Sequence, residues 1–223
     1  MTVPRRYSLL CPIARALDRI GDRWTLLILR DLHAGPARFA DLQAGLSGIA
    51  SNLLTDRLRQ LQADGLVEKR DKGGGAAYLL TPLGADTKDL LFALALYGAR
   101  FTPDVPPRKP GNLRTVAVTL AAALEKVAAP EDAVVAGLTI DGEDFTLTVR
   151  DGNATVLAAP AERPDLLVKM SYEPMVSAFD NDLDFGRFMT DHVQVETRAA
   201  GKDLVLIKLF ADIAEWLATR SRQ

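Results

Sequence analysis

The sequence is short of cysteine. Cys11 is the only one in 223 residues. A lone thiol excludes an intrachain disulfide and fits a reducing cytoplasm. Histidine is nearly as scarce, with two in the chain, and His192 is the only one in the second half. His192 stands at an expected strand start and reads as structural. The chain has no G-x-S-x-G, no phosphate-binding glycine loop and no cluster with metal-ligand spacing. Acidic residues gather in turns such as DGED and DND, where Asp serves local hydrogen bonds. No catalytic residue, metal site or cofactor is expected, and the sequence reads as non-enzymatic. Apolar runs stay far below the roughly 20 residues that cross a bilayer. The N-terminus MTVPRRYSLLCPIARAL carries no long apolar run or small-residue cleavage site, so no signal peptide is read. A cytoplasmic protein with no membrane partner is the expectation.

What is present divides the chain in two. Nearly half of the residues are apolar (48%) and a quarter charged (25%), the balance of a globular protein. Net charge is −2, but unevenly placed. Residues 1–105 hold 14 Lys+Arg against 11 Asp+Glu, and residues 106–223 hold 13 against 18. The first half is mildly basic and the second acidic, which suits a polyanionic partner for the first alone. Between them, TPDVPPRKPGN carries four prolines in 11 residues. Proline fixes φ and removes donors, so the segment reads as a semi-extended linker. The expected organisation is residues 1–101, a linker at 102–111, and a second unit at 112–223.

The first unit reads mainly helical. PIARALDRIGD and WTLLILRDLHAG show helical spacing, the second closed by Gly35. RFADLQAGL is a short helix, and a longer one is expected from Ile49 to Ala63. LVEKRDK, a glycine bend and YLLT then form a two-stranded ribbon, and one helix follows Pro82. Advancing about 100° per residue from Ile49 puts Leu53, Leu54, Leu58 and Leu61 on one side. Ser51, Asn52, Thr55, Arg59 and Ala63 fall on the other. A merely solvated face would carry more Glu and Lys. Small polar residues around one arginine allow close approach and hydrogen bonds to base edges and phosphates. Two helices joined by a tight turn, the second polar outside, make a helix-turn-helix, and the ribbon makes its wing. Double-stranded DNA is the expected partner, contacted by Ser51, Asn52, Thr55 and Arg59. Arg70 and Lys72 on the wing, and Arg38 before the short helix, are expected at phosphates. Arg57 falls on the apolar side of its helix. It either pairs with Asp18 or Asp22 or clamps a phosphate, its stem packed in both cases.

The order CPIARALDRIGDRWTLLILRDLHAGPARFADL, then LLTDRLRQLQADGLVEKR, then YLLTPLG closely resembles the HxlR branch of the MarR-like winged-helix regulators. The resemblance covers roughly residues 8–100. It implies a homodimeric transcription factor paired through its first and last helices, around Pro12–Asp22 and Pro82–Phe101. It also implies two recognition helices about 34 Å apart on a pseudo-palindrome. Repression is the expected sign. Some relatives with this cysteine sense oxidants or electrophiles. Cys11, before Pro12 at an expected helix N-cap with Arg15 a turn on, is the alternative control site; the rival reading is a packed thiol.

The second unit alternates strands, AVVAGLTI, DFTLTVR and ATVLAA, joined by DG turns that signal hairpins. DLLVKMS and VQVETRA add strands, EPMVSAFDN and LDFGRFMTD short helices, and DLVLIKLFADIAEWLA closes the chain. This is α+β with a mainly antiparallel sheet. Residues Asn112–Ala218 resemble the sterol carrier protein type two-like fold. That resemblance implies a cavity for an apolar small-molecule effector, lined by Met170, Met175, Phe179, Phe185, Phe188, Met189 and Phe210. Plain core packing is the alternative reading of the same cluster. A remoter alternative is a lipid-binding protein whose winged helix only dimerises.

Overall fold

The computed structural model describes residues 7–72, 75–101, 112–179 and 183–221. The expected linker at 102–111 lies outside the described residues, as do Arg5, Arg6 and the side chain of Lys72.

Helix α1 (Pro12–Ile20) begins with proline in its first turn, after an extended Cys11, and stops at Gly21. Helix α2 (Thr25–Leu32) buries Ile28, Leu29 and Leu32. Gly35 then turns the chain at φ +94° into a two-residue strand, β1 (Ala37–Arg38). Helix α3 (Phe39–Gly45) and helix α4 (Ser51–Ala63) follow. The latter starts two residues later than its spacing suggests, because Ile49 serves as a buried anchor in the turn before it. Strands β2 (Val67–Lys72) and β3 (Gly75–Leu80) form the ribbon. It is three-stranded rather than two-stranded, in the order β1-β3-β2. The helix expected after Pro82 is two: α5 (Pro82–Ala85) and α6 (Lys88–Gly98).

Helix α7 (Thr115–Glu125) buries eight of its eleven residues. A helix apolar all round belongs inside a protein. Strands β4 (Val134–Ile140), β5 (Glu143–Arg150), β6 (Asn153–Leu157) and β7 (Leu166–Met170) follow, then helices α8 (Tyr172–Phe179) and α9 (Phe185–His192). Strand β8 (Val193–Thr197) and helix α10 (Lys202–Ser221) complete the described fold. The five-stranded sheet has the order β6-β5-β4-β7-β8. It is mixed: β4 and β7 run parallel, the other neighbours antiparallel. Both DG turns are hairpin turns with two consecutive positive φ values, Asp141–Gly142 at 47° and 89° and Asp151–Gly152 at 52° and 73°. His192 is exposed and ends α9 rather than opening a strand.

The two halves share a core through α7. Val118 joins the core of the helix-turn-helix half, while Phe92 of α6 joins the core around the large sheet. Lys88 pairs with Glu125 at 2.6 Å and Lys126 with Asp89 at 3.0 Å, tying α6 to the end of α7. Glu125 also accepts from the Ala154 amide of β6 at 3.1 Å, and the Ala158 amide donates to the Ala34 carbonyl at 2.9 Å.

Candidate nucleic-acid interface

Leu42, Leu46, Ile49, Leu54, Leu58 and Leu61 are all buried, and together they fix α3 and α4 on the rest of the half. The opposite side of α4 lies open. Ser51 and Asn52 are exposed and Thr55 is half-buried. The Arg59 side chain is 76% exposed; its ion pair with Asp56, at 3.7 Å one turn away, is weak and solvated. Thr55 Oγ1 donates to the Ser51 carbonyl at 2.8 Å, and Asn52 Oδ1 accepts from the Leu53 amide at 2.9 Å. The oxygen of Thr55 can still accept, and the amide nitrogen of Asn52 can still donate. The Gln43 amide nitrogen of α3 donates to Ser51 Oγ, so a residue of the first helix reaches the polar stripe. Gln43 was not singled out by the sequence; as one glutamine on a short amphipathic helix, it gave no periodic signal.

The ribbon gathers two further predicted contacts. Arg38 of β1 pairs in register with Ala77 of β3, and Ala77 with Arg70 of β2. Residues directly opposite across a sheet share a face, so Arg38 and Arg70 stand on the same side, roughly 10 Å apart across two strand spacings. Arg38 is exposed, and its backbone amide donates to Asp41 Oδ2 at 2.8 Å, starting α3. Arg70 is 58% exposed with Glu68 at 2.5 Å. The backbone of Lys72 pairs opposite Gly75. Lys69, also unmarked by the sequence, packs its ammonium 5.8 Å from the ring centre of Tyr78.

Arg57 does not join the stripe. Its guanidinium meets Asp22 at 2.8 Å, so the pairing of the two alternatives is the one the structure adopts. It lines a cavity of about 770 Å³ bounded by α1, α2 and α4, and its Nε is buried without a hydrogen-bond partner. The apolar side of α4 faces α1 and α2, so the arginine there reaches Asp22 in the turn between those helices. Arg57 is therefore removed from the phosphate-contact set. Cys11 is the N-cap of α1, half-exposed, with no side-chain capping bond.

Sequence reasoning also missed a clamp behind the helix-turn-helix. Arg114, at the start of α7, donates through Nε to the Asp31 carbonyl at 2.9 Å, and through Nη2 to the Gly35 and Pro36 carbonyls. Burial pushes its pKa down, opposed by the Asp31 carboxylate. Asp31 is fully buried and also binds Arg30 Nε at 2.8 Å and Asn112 Nδ2 at 3.0 Å. Gly45 closes α3 so tightly against Asn112 that a Cβ there would lie 1.6 Å from Nδ2. Nothing in local periodicity marks such a meeting of residues some 80 positions apart.

The residues expected to line an effector cavity divide between core and groove. Met170, Phe188 and Phe210 are core residues, and Phe185 and Met189 pack half-buried against that core. Met175 and Phe179 line a groove between α6, α7, α8 and α10.

Comparison with known proteins places the helix-turn-helix half. The family model described as HxlR-like helix-turn-helix matches residues 19–106. An uncharacterized HTH-type transcriptional regulator of Synechocystis is 31% identical over 93 residues, covering 40% of this chain and 69% of its own. One from Mycobacterium tuberculosis is 36% identical over 102 residues, covering 44% of this chain; the chain spans 64% of that relative's length. Among solved structures, quinone-bound YodB from Bacillus subtilis is 27% identical, covering 41% of this chain and all of its own (100%), with a TM-score of 0.38. The Synechocystis regulator, 31% identical and covered over more than two thirds of its length, shows the family together with the matching family model: the chain belongs to the HxlR-like helix-turn-helix family.

Proposed function

We propose that the protein is a sequence-specific DNA-binding regulator of transcription that acts in the cytoplasm, without catalysis, as a homodimeric repressor. The open stripe of Ser51, Asn52, Thr55 and Arg59, flanked by Arg38 and Arg70 on one face of the wing, is the observation that carries this reading. α4 would enter the major groove and the two arginines would meet phosphates beside it. Support for a dimer comes from exposed apolar side chains at both ends of this half. Leu9, Leu10, Ile13 and Leu17 lie on and before α1, and Leu90, Leu94, Tyr97 and Phe101 on and after α6. Such apolar exposure is more than a solitary unit of this size normally carries. Among the described residues, no helix is long and apolar enough to cross a membrane.

The test is a salt titration of binding to the protein's own promoter fragment, read by fluorescence anisotropy. Arg59→Ala should cost about 1–3 kcal/mol at one base position and relax specificity there. Arg70→Ala should weaken all sequences alike and flatten the salt slope by about one. If both variants bind the operator as the unmodified protein does, the site assignment is wrong. Control through Cys11 is the second reading, supported by its half-exposed place at the start of α1. An oxidant arm with Cys11→Ser in the same titration separates it from control by an apolar effector.

A further inference from the structure

The groove between the halves has a volume of about 890 Å³, within the range of small-molecule sites. Its walls are apolar: Phe92 and Leu96 from α6, Val116 and Leu120 from α7, Met175 and Phe179 from α8. Its charged lining is of one sign. Arg100, just past α6, and Arg220, in the last turn of α10, border it, and no carboxylate does among the described residues. That sign runs against the acidic composition of the second half. Neither arginine forms an ion pair among the described residues; Arg220 rests on the Trp216 ring, 4.4 Å from its centre. Trp216 in turn stacks on Phe92 at 5.8 Å. Apolar walls favour an apolar body by roughly 25 cal/mol per Å² buried. Two guanidinium groups at the rim, with no carboxylate partner among the described residues, favour an anionic head in the forked geometry a carboxylate accepts.

We propose that this groove binds an amphiphilic carboxylic acid, its apolar body between α6, α7 and α8 and its carboxylate held at the Arg100–Arg220 rim. The regulatory consequence rests on the reading of the protein as a DNA-binding dimer. Advancing about 100° per residue along α6 from Lys88, the groove-lining Phe92 and Leu96 fall within about 40–80°. The exposed Leu90 and Leu94 fall within about 200–240°. Tyr97 lies between the two sets, lines the groove, and packs edge-on against Phe101 at 5.1 Å. An occupant of the groove therefore touches the side chain that borders the exposed apolar face. A ligand shifts an equilibrium only by its differential affinity for the two arrangements, and Tyr97 is where that difference arises.

Decanoate is the probe, with 1-decanol as its uncharged counterpart, on full-length protein carrying Trp24→Phe so that Trp216 alone reports. Decanoate should change Trp216 emission saturably, with one site per chain. Replacing both rim arginines (Arg100→Ala with Arg220→Ala) should weaken decanoate at least about tenfold and leave decanol unchanged. Both arginines are exposed, and circular dichroism checks that the variant is folded. Ala93→Phe, at an exposed groove position, should abolish the decanoate response and with it any effect of decanoate on operator affinity. The proposal is overturned if decanoate gives no saturable response, if decanol binds as tightly as decanoate, or if the arginine variants bind decanoate unchanged. It is equally overturned if Ala93→Phe turns a sedimenting dimer into a monomer with decanoate binding intact, since the groove would then belong to a second copy. Operator affinity measured without ligand keeps the two readings apart: intact DNA binding with no decanoate response removes the groove site alone.

Discussion

His33, at the end of α2, shows how one side chain ties burial to pH. Its Nε2 lies 3.1 Å from Thr87 Oγ1, and that hydroxyl donates to the Gly84 carbonyl at 2.6 Å. The hydroxyl hydrogen is thus spent, so Nε2 carries the proton and donates to Thr87. Burial, with Lys88 nearby, lowers the His33 pKa from 6.5 to about 4. The unfolded chain takes up a proton near 6.5 and the folded chain resists until about 4, so protonation favours unfolding. The contribution of His33 to stability is complete above pH 6.5 and is lost as pH falls toward 4. Urea unfolding at a series of pH values from 8 down to 4 should show that decline, and His33→Gln should flatten it relative to the unmodified protein. Carboxylates common to both proteins titrate in the lower part of the window, so the difference between the curves is the quantity that decides.

Elements were legible where their signal is local. The leucine spacing of α4, its polar stripe, and the DG turns of the β4–β5 and β5–β6 hairpins depend on neighbours in sequence, and each appears where its residues point. Two-residue β1 has no alternation to read, so the third strand of the wing was not visible. The break between α5 and α6 was hidden because Gly84-Ala85-Asp86-Thr87 contains no proline. Its cause is tertiary: α5 presses against the start of the ribbon, where a Cβ on Gly84 would lie 2.0 Å from the Leu66 carbonyl oxygen. Backbone cannot yield there as a flexible side chain would. Gly84→Ala should destabilise the protein by about 1–3 kcal/mol, measured by urea unfolding. Gly98, whose Cβ would meet nothing within 4 Å, serves as the control: Gly98→Ala should be neutral or slightly stabilising. Equal effects at both positions would mean the tight approach of α5 to Leu66 is wrong. The apolar cluster of the second half is ambiguous in the sequence for a related reason. Met and Phe at irregular spacing have the same pattern whether they fill a core or border a cavity, and only packing separates the two.

At the scale of the whole molecule, the proline-rich segment suggests two loosely joined units, but the residues on either side of it meet. α7 contributes Val118 to one core and most of its other buried residues to the other, and Arg114 holds the carbonyls that lead into β1 and α3. A cation at a helix N-terminus opposes the helix dipole. Its place there is offset by three carbonyl acceptors and the buried Asp31. Trp24 packs half-buried against the core of the helix-turn-helix half and Trp216 against that of the sheet half, so each half has its own fluorescent reporter. With one partner of Trp24→Phe and one of Trp216→Phe, the two urea transitions should coincide, as in a single cooperative unit. Arg114→Met removes the donors from a buried cluster and should cost about 2–4 kcal/mol. Because the loss falls on the contact between halves, it should also pull the two transitions apart, the Trp24 signal changing at lower urea than the Trp216 signal. Arg114→Lys should recover only part of the loss, since one ammonium cannot span the acceptors that the fork reaches. Transitions that remain superimposed in Arg114→Met, shifted together or unmoved, would show that the coupling of the halves does not pass through this clamp. Any route from the groove to the polar stripe would then have to run through α6 or through the packing of Val118 of α7 on the helix-turn-helix core.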